Sequence, residues 1–76
     1  MDPVEYMFTK LRLLGARVTC RQMTGSVLYE VQYKHAAYPM RRYPGGLWSI
    51  QGLAMEPEQA ASMLRDYVRL YIGEEV

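Results

Sequence analysis

Cys20 and His35 are the side chains in this sequence that could act as a nucleophile and a base near neutral pH, and there is one residue of each type. Alternation along the chain puts Cys20 on the inward side of a strand, where thiols are inert. His35 falls at the mouth of a loop, where a lone imidazole is normally solvated. One His and one Cys need two further ligands to hold zinc, and no carboxylate is placed beside either. The acids Asp2, Glu5, Glu56 and Glu58 sit at helix starts, where capping and the helix dipole account for them. Gly45 and Gly46 lead into a strand rather than a helix, so they do not form a phosphate-binding loop. No catalytic residue, no metal and no cofactor is expected, and the chain reads as non-enzymatic.

Binding chemistry is better represented. Lys34, His35, Tyr38, Met40, Arg41, Arg42 and Tyr43 interleave cations with aromatic rings. Rings and guanidinium groups together make the hot spots of protein interfaces, and they also make single-stranded nucleic-acid sites. Arg41, Arg42, Tyr38 and Tyr43 are the first candidates for a partner-binding surface, with Lys34, Arg17 and Arg21 as support.

These residues need elements to hold them. Asp2, Pro3 and Glu5 form a helix start, and Val4, Met7, Phe8, Leu11 and Leu14 recur at helical spacing up to the stop at Gly15. The pattern predicts a helix over residues 3–14. Residues 16–23 then alternate as a half-buried strand, and Thr24 with Gly25 suits a two-residue hairpin loop. That loop pairs Met23 with Ser26, Cys20 with Tyr29 and Val18 with Val31, and it places Arg17, Thr19, Arg21, Leu28, Glu30, Gln32 and Lys34 together on the opposite face. Residues 35–46, HAAYPMRRYPGG, read as a long loop broken by two Tyr-Pro steps and a glycine pair. A third strand follows over residues 47–53, with Trp48 and Ile50 on one face. Pro57 opens a second helix whose apolar face comprises Ala60, Ala61, Met63, Leu64, Tyr67, Val68, Tyr71 and Ile72, with Gly73 as its end. Residues 74–76 are expected to fray. The expected fold is a single α+β domain over residues 1–76. It is a two-layer sandwich in the order helix, three-stranded antiparallel sheet, helix, with both helices on one face.

That order and length resemble the double-stranded-RNA-binding domain over almost the whole chain. The resemblance implies a fold and little more. That family grips phosphates with a lysine-rich start to its second helix, and the matching segment here, Met55, Glu56, Pro57, Glu58 and Gln59, is acidic and would repel them. The family's Gly-Pro-x-His type of loop between the first two strands is replaced by Met23, Thr24, Gly25 and Ser26. A short chain with no enzyme site and a rich contact surface also resembles, in kind, the small proteins with which phages and mobile elements block host machinery, such as anti-CRISPR proteins.

Bulk properties fit a binding module. The chain has 76 residues, 50% hydrophobic and 22% charged, a globular balance with room for one small core. Six Met and seven Tyr suit an irregular core or a contact surface. The net charge of +1 is low for a nucleic-acid binder, so a protein partner is expected first and nucleic acid second. The charges are uneven: residues 1–43 carry 7 − 3 = +4 and residues 44–76 carry 2 − 5 = −3. A single cysteine, an N-terminus (MDPVEYMF) unlike a signal peptide and the lack of a long apolar run point to the cytoplasm and away from a membrane. Leu13, Leu28 and Leu70 fall off the main apolar faces, which leaves a homodimer open. The sequence therefore reads as an inhibitor or adaptor that masks a surface of a larger complex.

Overall fold

The computed structural model describes residues 2–73, with Tyr71 and Ile72 described by their backbone alone. The expected fraying of residues 74–76, and the share of the helix face assigned to Tyr71 and Ile72, lie outside the described residues. Helix α1 spans Pro3–Leu13 and begins as its sequence requires, with Asp2 Oδ1 accepting from the Val4 N–H at 2.7 Å. Gly15, at φ 99°, reverses the chain, and the Ala16 N–H donates to the Leu11 carbonyl at 2.9 Å.

Strands β1 (Arg17–Met23) and β2 (Ser26–Tyr33) pair antiparallel about Thr24 and Gly25. The register is the expected one: Met23 opposes Ser26, Cys20 opposes Tyr29 and Val18 opposes Val31. Beyond β2 the structure departs from the expectation of three strands. Most of the segment read as a loop is strand β3 (Ala36–Arg42), joined to β2 by a turn at Lys34 and His35 in which Lys34 takes a φ of 55°. Pro39 is tolerated for a geometric reason. Closing the turn on Tyr33 and Ala36 makes Glu30 and Pro39 a non-hydrogen-bonded pair, so the missing N–H points away from β2. It points instead toward a side that β4 does not reach, because β4 pairs only with Arg41 and Arg42.

The expected third strand is likewise two strands, β4 (Trp48–Ile50) and β5 (Leu53–Met55). Gln51 and Gly52, at φ 54° and 82°, make the two-residue turn between them. Helix α2 (Pro57–Tyr67) continues into a π-type turn, Val68–Ile72, and stops at Gly73 with φ 84°. The result is an α+β fold with one antiparallel sheet in the order β1-β2-β3-β4-β5. The resemblance to a three-stranded RNA-binding domain therefore does not extend to the sheet. Among the described residues no helix is long and apolar enough to cross a membrane.

Both helices lie on one face of the sheet. Val4, Met7, Phe8 and Leu11 of α1 and Ala60, Ala61 and Leu64 of α2 close over Val31, Tyr38, Met40, Trp48 and Ile50. Three rings form the joint beneath α1: Phe8 lies 5.3 Å from Tyr29 and 5.9 Å from Trp48, and Tyr29 lies 5.3 Å from Trp48. The buried Trp48 indole donates to Asp2 Oδ2 at 3.3 Å, so one carboxylate caps α1 and satisfies the core. Leu64→Ala is expected to cost about 2–5 kcal/mol in urea denaturation, as a fully buried leucine should. Asp2→Ala removes two hydrogen bonds and should cost about 1–3 kcal/mol. A loss no larger than the roughly 1 kcal/mol of an ordinary cap would mean that the indole bond adds nothing to it.

Candidate functional site

Strand alternation sorts the candidate residues onto two faces. Arg17, Thr19 and Arg21 of β1 oppose Gln32, Glu30 and Leu28 of β2, which oppose Ala37, Pro39 and Arg41 of β3. Arg41 in turn opposes Ser49 of β4. These side chains share the face that the helices leave open. Arg17, Arg21 and Arg41 are exposed there, and Arg41 Nη1 lies 3.5 Å from Ser26 Oγ. Glu30 is the one acid among the strand residues of this face, and its carboxylate accepts from Gln32 Nε2. Among the described residues no ion pair joins Arg17, Arg21 or Arg41 to an acid. The open face thus carries three arginines, with apolar side chains at Leu28 and Pro39 between them.

The other expected members do not join it. Arg42 has the opposite parity to Arg41 and turns to the helix side, where Nη1 lies 3.8 Å from Glu5 Oε1. In sequence Glu30 is the only acid between residues 6 and 55, so neither arginine has a close acidic neighbour along the chain; the fold brings Glu5 of α1 to Arg42 and no acid into an ion pair with Arg41 among the described residues. Tyr38 is 7% exposed and stacks on Tyr67 with ring centroids 4.3 Å apart, so it fastens α2 to β3 and is not a surface ring. Tyr43 is 37% exposed at the start of the β3–β4 connection, where its N–H donates to the Leu47 carbonyl at 2.8 Å. Lys34 stands in the β2–β3 turn with Nζ 5.3 Å from the centre of the Tyr33 ring. The structure therefore puts Arg17, Arg21 and Arg41 on one face, turns Arg42 and Tyr38 to the other, and leaves Lys34 and Tyr43 in the connections just beyond the strand ends. Pro39 and Ser49, which the sequence analysis passed over, enter the open face through β3. The signal for β3 was the alternation of Tyr38 and Met40 with Pro39 and Arg41.

Cys20 also departs from expectation. It lies on the helix side of β1 by parity, yet it is exposed, because β1 is the outermost strand and only Val18 beside it packs against the core. His35 is exposed in the β2–β3 turn. Among the described residues no group of three or more His, Cys, Asp or Glu side chains could hold a metal ion. Comparison of the chain with known protein families, with characterised proteins and with solved structures finds no match.

Burial, and next the neighbouring Tyr67, push the Tyr38 hydroxyl above the ordinary tyrosine value of 10.0. Above that value the unfolded chain gives up a proton that the folded chain keeps, so stability falls as pH rises through the window between the two values. Below it Tyr38 contributes no pH dependence. Melting curves from pH 7 to pH 11 should show Tyr38→Phe close to the wild type at neutral pH and less sensitive than the wild type at alkaline pH. An unchanged alkaline slope would mean that Tyr38 ionises as freely in the fold as in the unfolded chain.

Proposed function

We propose that this chain is a non-enzymatic binding protein that works in the cytoplasm by laying its open sheet face on an acidic surface of a larger protein or complex. It would act there as an inhibitor or adaptor, in the manner of the small proteins that phages and mobile elements turn against host defence, anti-CRISPR proteins among them. One observation carries the reading: Arg17, Arg21 and Arg41 stand exposed on one rigid face with Glu30 as the one acid among its strand residues. Arginine suits such a surface, since its planar fork binds carboxylates through two hydrogen bonds and loses little freedom in doing so. A sheet held from behind by two helices is ordered before it binds, so association costs little further entropy.

The same charges could meet phosphates, which makes nucleic acid the second reading. The placement of the rings argues against it. Tyr29, Tyr33 and Tyr38 all project from the strands to the helix side, so the strands offer no stacking platform beside the arginines.

Affinity capture of the tagged protein, with and without nuclease, followed by calorimetric titration against the purified partner tests the proposal. The triple variant Arg17→Glu, Arg21→Glu, Arg41→Glu should weaken binding by at least about 2 kcal/mol. Arg42→Ala should change it by less than about 0.5 kcal/mol, because Arg42 lies on the other face. Cys20→Ala and His35→Ala should leave binding and biological activity intact. Capture that disappears with nuclease would favour nucleic acid, and a triple variant that binds as tightly as the wild type would remove the open face from the site.

A further inference from the structure

We propose that the outer edge of β1 is a strand-addition site, and that it takes an extended acidic segment of the partner with two carboxylates four residues apart. The inference rests on the reading that the partner is an acidic protein, and it names the part of that partner which is held. Because the β1–β2 turn closes on Met23 and Ser26, Arg17, Thr19 and Arg21 exchange hydrogen bonds with β2, and the N–H and C=O groups of Val18, Cys20 and Gln22 point outward. β1 is the terminal strand of the sheet, so among the described residues no other strand receives those groups. Exposed edges are usually blunted by a bulge, a proline, brevity or charged side chains. β1 pairs without interruption over its seven residues and contains no proline, and its charges, Arg17 and Arg21, repel a cationic strand but not an acidic one.

Charge selects the occupant. On an added antiparallel strand, the residues opposite Arg17 and Arg21 lie four apart and on the open-face side, in the closely spaced pairs where cross-strand side chains meet. Carboxylates at those two places pair with both arginines. The residues between them fall on the helix side next to Val18 and Cys20, where apolar side chains would extend the core layer over the exposed Cys20. A second copy of this chain fits less well. Pairing two copies of β1 over their full length sets their Arg21 side chains on a diagonal of one face, and a slip of two residues sets Arg17 of one copy opposite Arg21 of the other. Like charges so placed destabilise the pair.

The probe is a short, capped peptide of valine and threonine with glutamates four residues apart, titrated into the full-length protein by calorimetry and followed by amide exchange. Binding should slow exchange at the Val18, Cys20 and Gln22 amides. Methylating the peptide nitrogens that would donate to β1 should weaken binding at least about tenfold, and moving the glutamates to a three-residue spacing, which puts them on opposite faces, should do the same. Arg21→Glu should act in the same direction. Cys20→Pro should abolish binding, since it removes an outward N–H without breaking the ladder to β2. If that variant does not fold, the methylated peptide decides. Equal binding of the methylated or respaced peptide overturns strand addition, as does a dimer of the protein that Cys20→Pro dissolves. Binding of an oligothymidine in place of the peptide overturns both this inference and the protein-partner reading. Failure of every peptide while arginine-dependent capture of a protein persists overturns strand addition alone.

Discussion

The carboxylate of Asp2 fixes how the two layers meet. One oxygen accepts from the Val4 N–H and starts α1, and the other accepts from the Trp48 indole inside the core. A buried indole N–H left without a partner costs free energy, and so does an uncapped helix start; here one side chain meets both needs. Its consequence is positional. α1 must begin over β4, and from that point its apolar stripe carries Phe8 onto Tyr29 and Trp48. α2 then has one vacant strip beside α1 on the same face, where Leu64 is buried and Tyr67 stacks on Tyr38.

Placing both helices on one side consumes the large apolar side chains. A chain of 76 residues has one core's worth of them, and rings and methionines that could have faced solvent are drawn inward: Tyr29, Tyr33, Tyr38 and Met40 all project toward the helices. The opposite face is left to arginine, glutamine, threonine and small apolar steps. The open sheet carries Arg17, Arg21 and Arg41 against Glu30, whereas acids and bases mix on the helices, with Glu5, Lys10 and Arg12 on α1 and Glu58, Arg65 and Asp66 on α2. The excess of positive charge on the open sheet favours approach to an acidic surface.

Where local chemistry and long-range pairing agree, the fold was legible in the sequence. The caps of α1, the Thr24 and Gly25 turn and the stop at Gly73 each follow from residue types that permit few alternatives, and the β1–β2 register followed from the turn plus alternation. β3 was hidden by Pro39, whose meaning depends on which way its nitrogen points, and that is set by a turn at Lys34 and His35 with no glycine to announce it. The β4–β5 turn was hidden in the same way by Gln51, a non-glycine residue with positive φ. Read as a loop, the segment puts Arg41 and Arg42 on one surface; as a strand it sends these neighbours to opposite faces. The open-face positions of Arg17, Arg21, Glu30 and Gln32 are legible because they depend on the one hairpin whose register the turn fixes, while Lys34, expected beside them, stands in the β2–β3 turn.

The arginines of the open face form no ion pair among the described residues, and Arg41 is held by one long contact of 3.5 Å to Ser26 Oγ. Arg21 and Arg41 stand in one cross-strand row with Leu28 between them, so two strand spacings, about 10 Å, separate their backbones. That distance is close to the screening length at physiological salt, so their repulsion is weak but not zero, and Glu30, which stands diagonal to both, forms an ion pair with neither. Arg42 offers the contrast: with an equivalent side chain on the other face, it reaches Glu5 and ties the end of β3 to α1. Within the fold Arg42 meets an acid, whereas Arg17, Arg21 and Arg41 form no ion pair among the described residues. In the proposed bound state a carboxylate would meet each of these guanidiniums and a neighbouring strand would meet the open edge of β1.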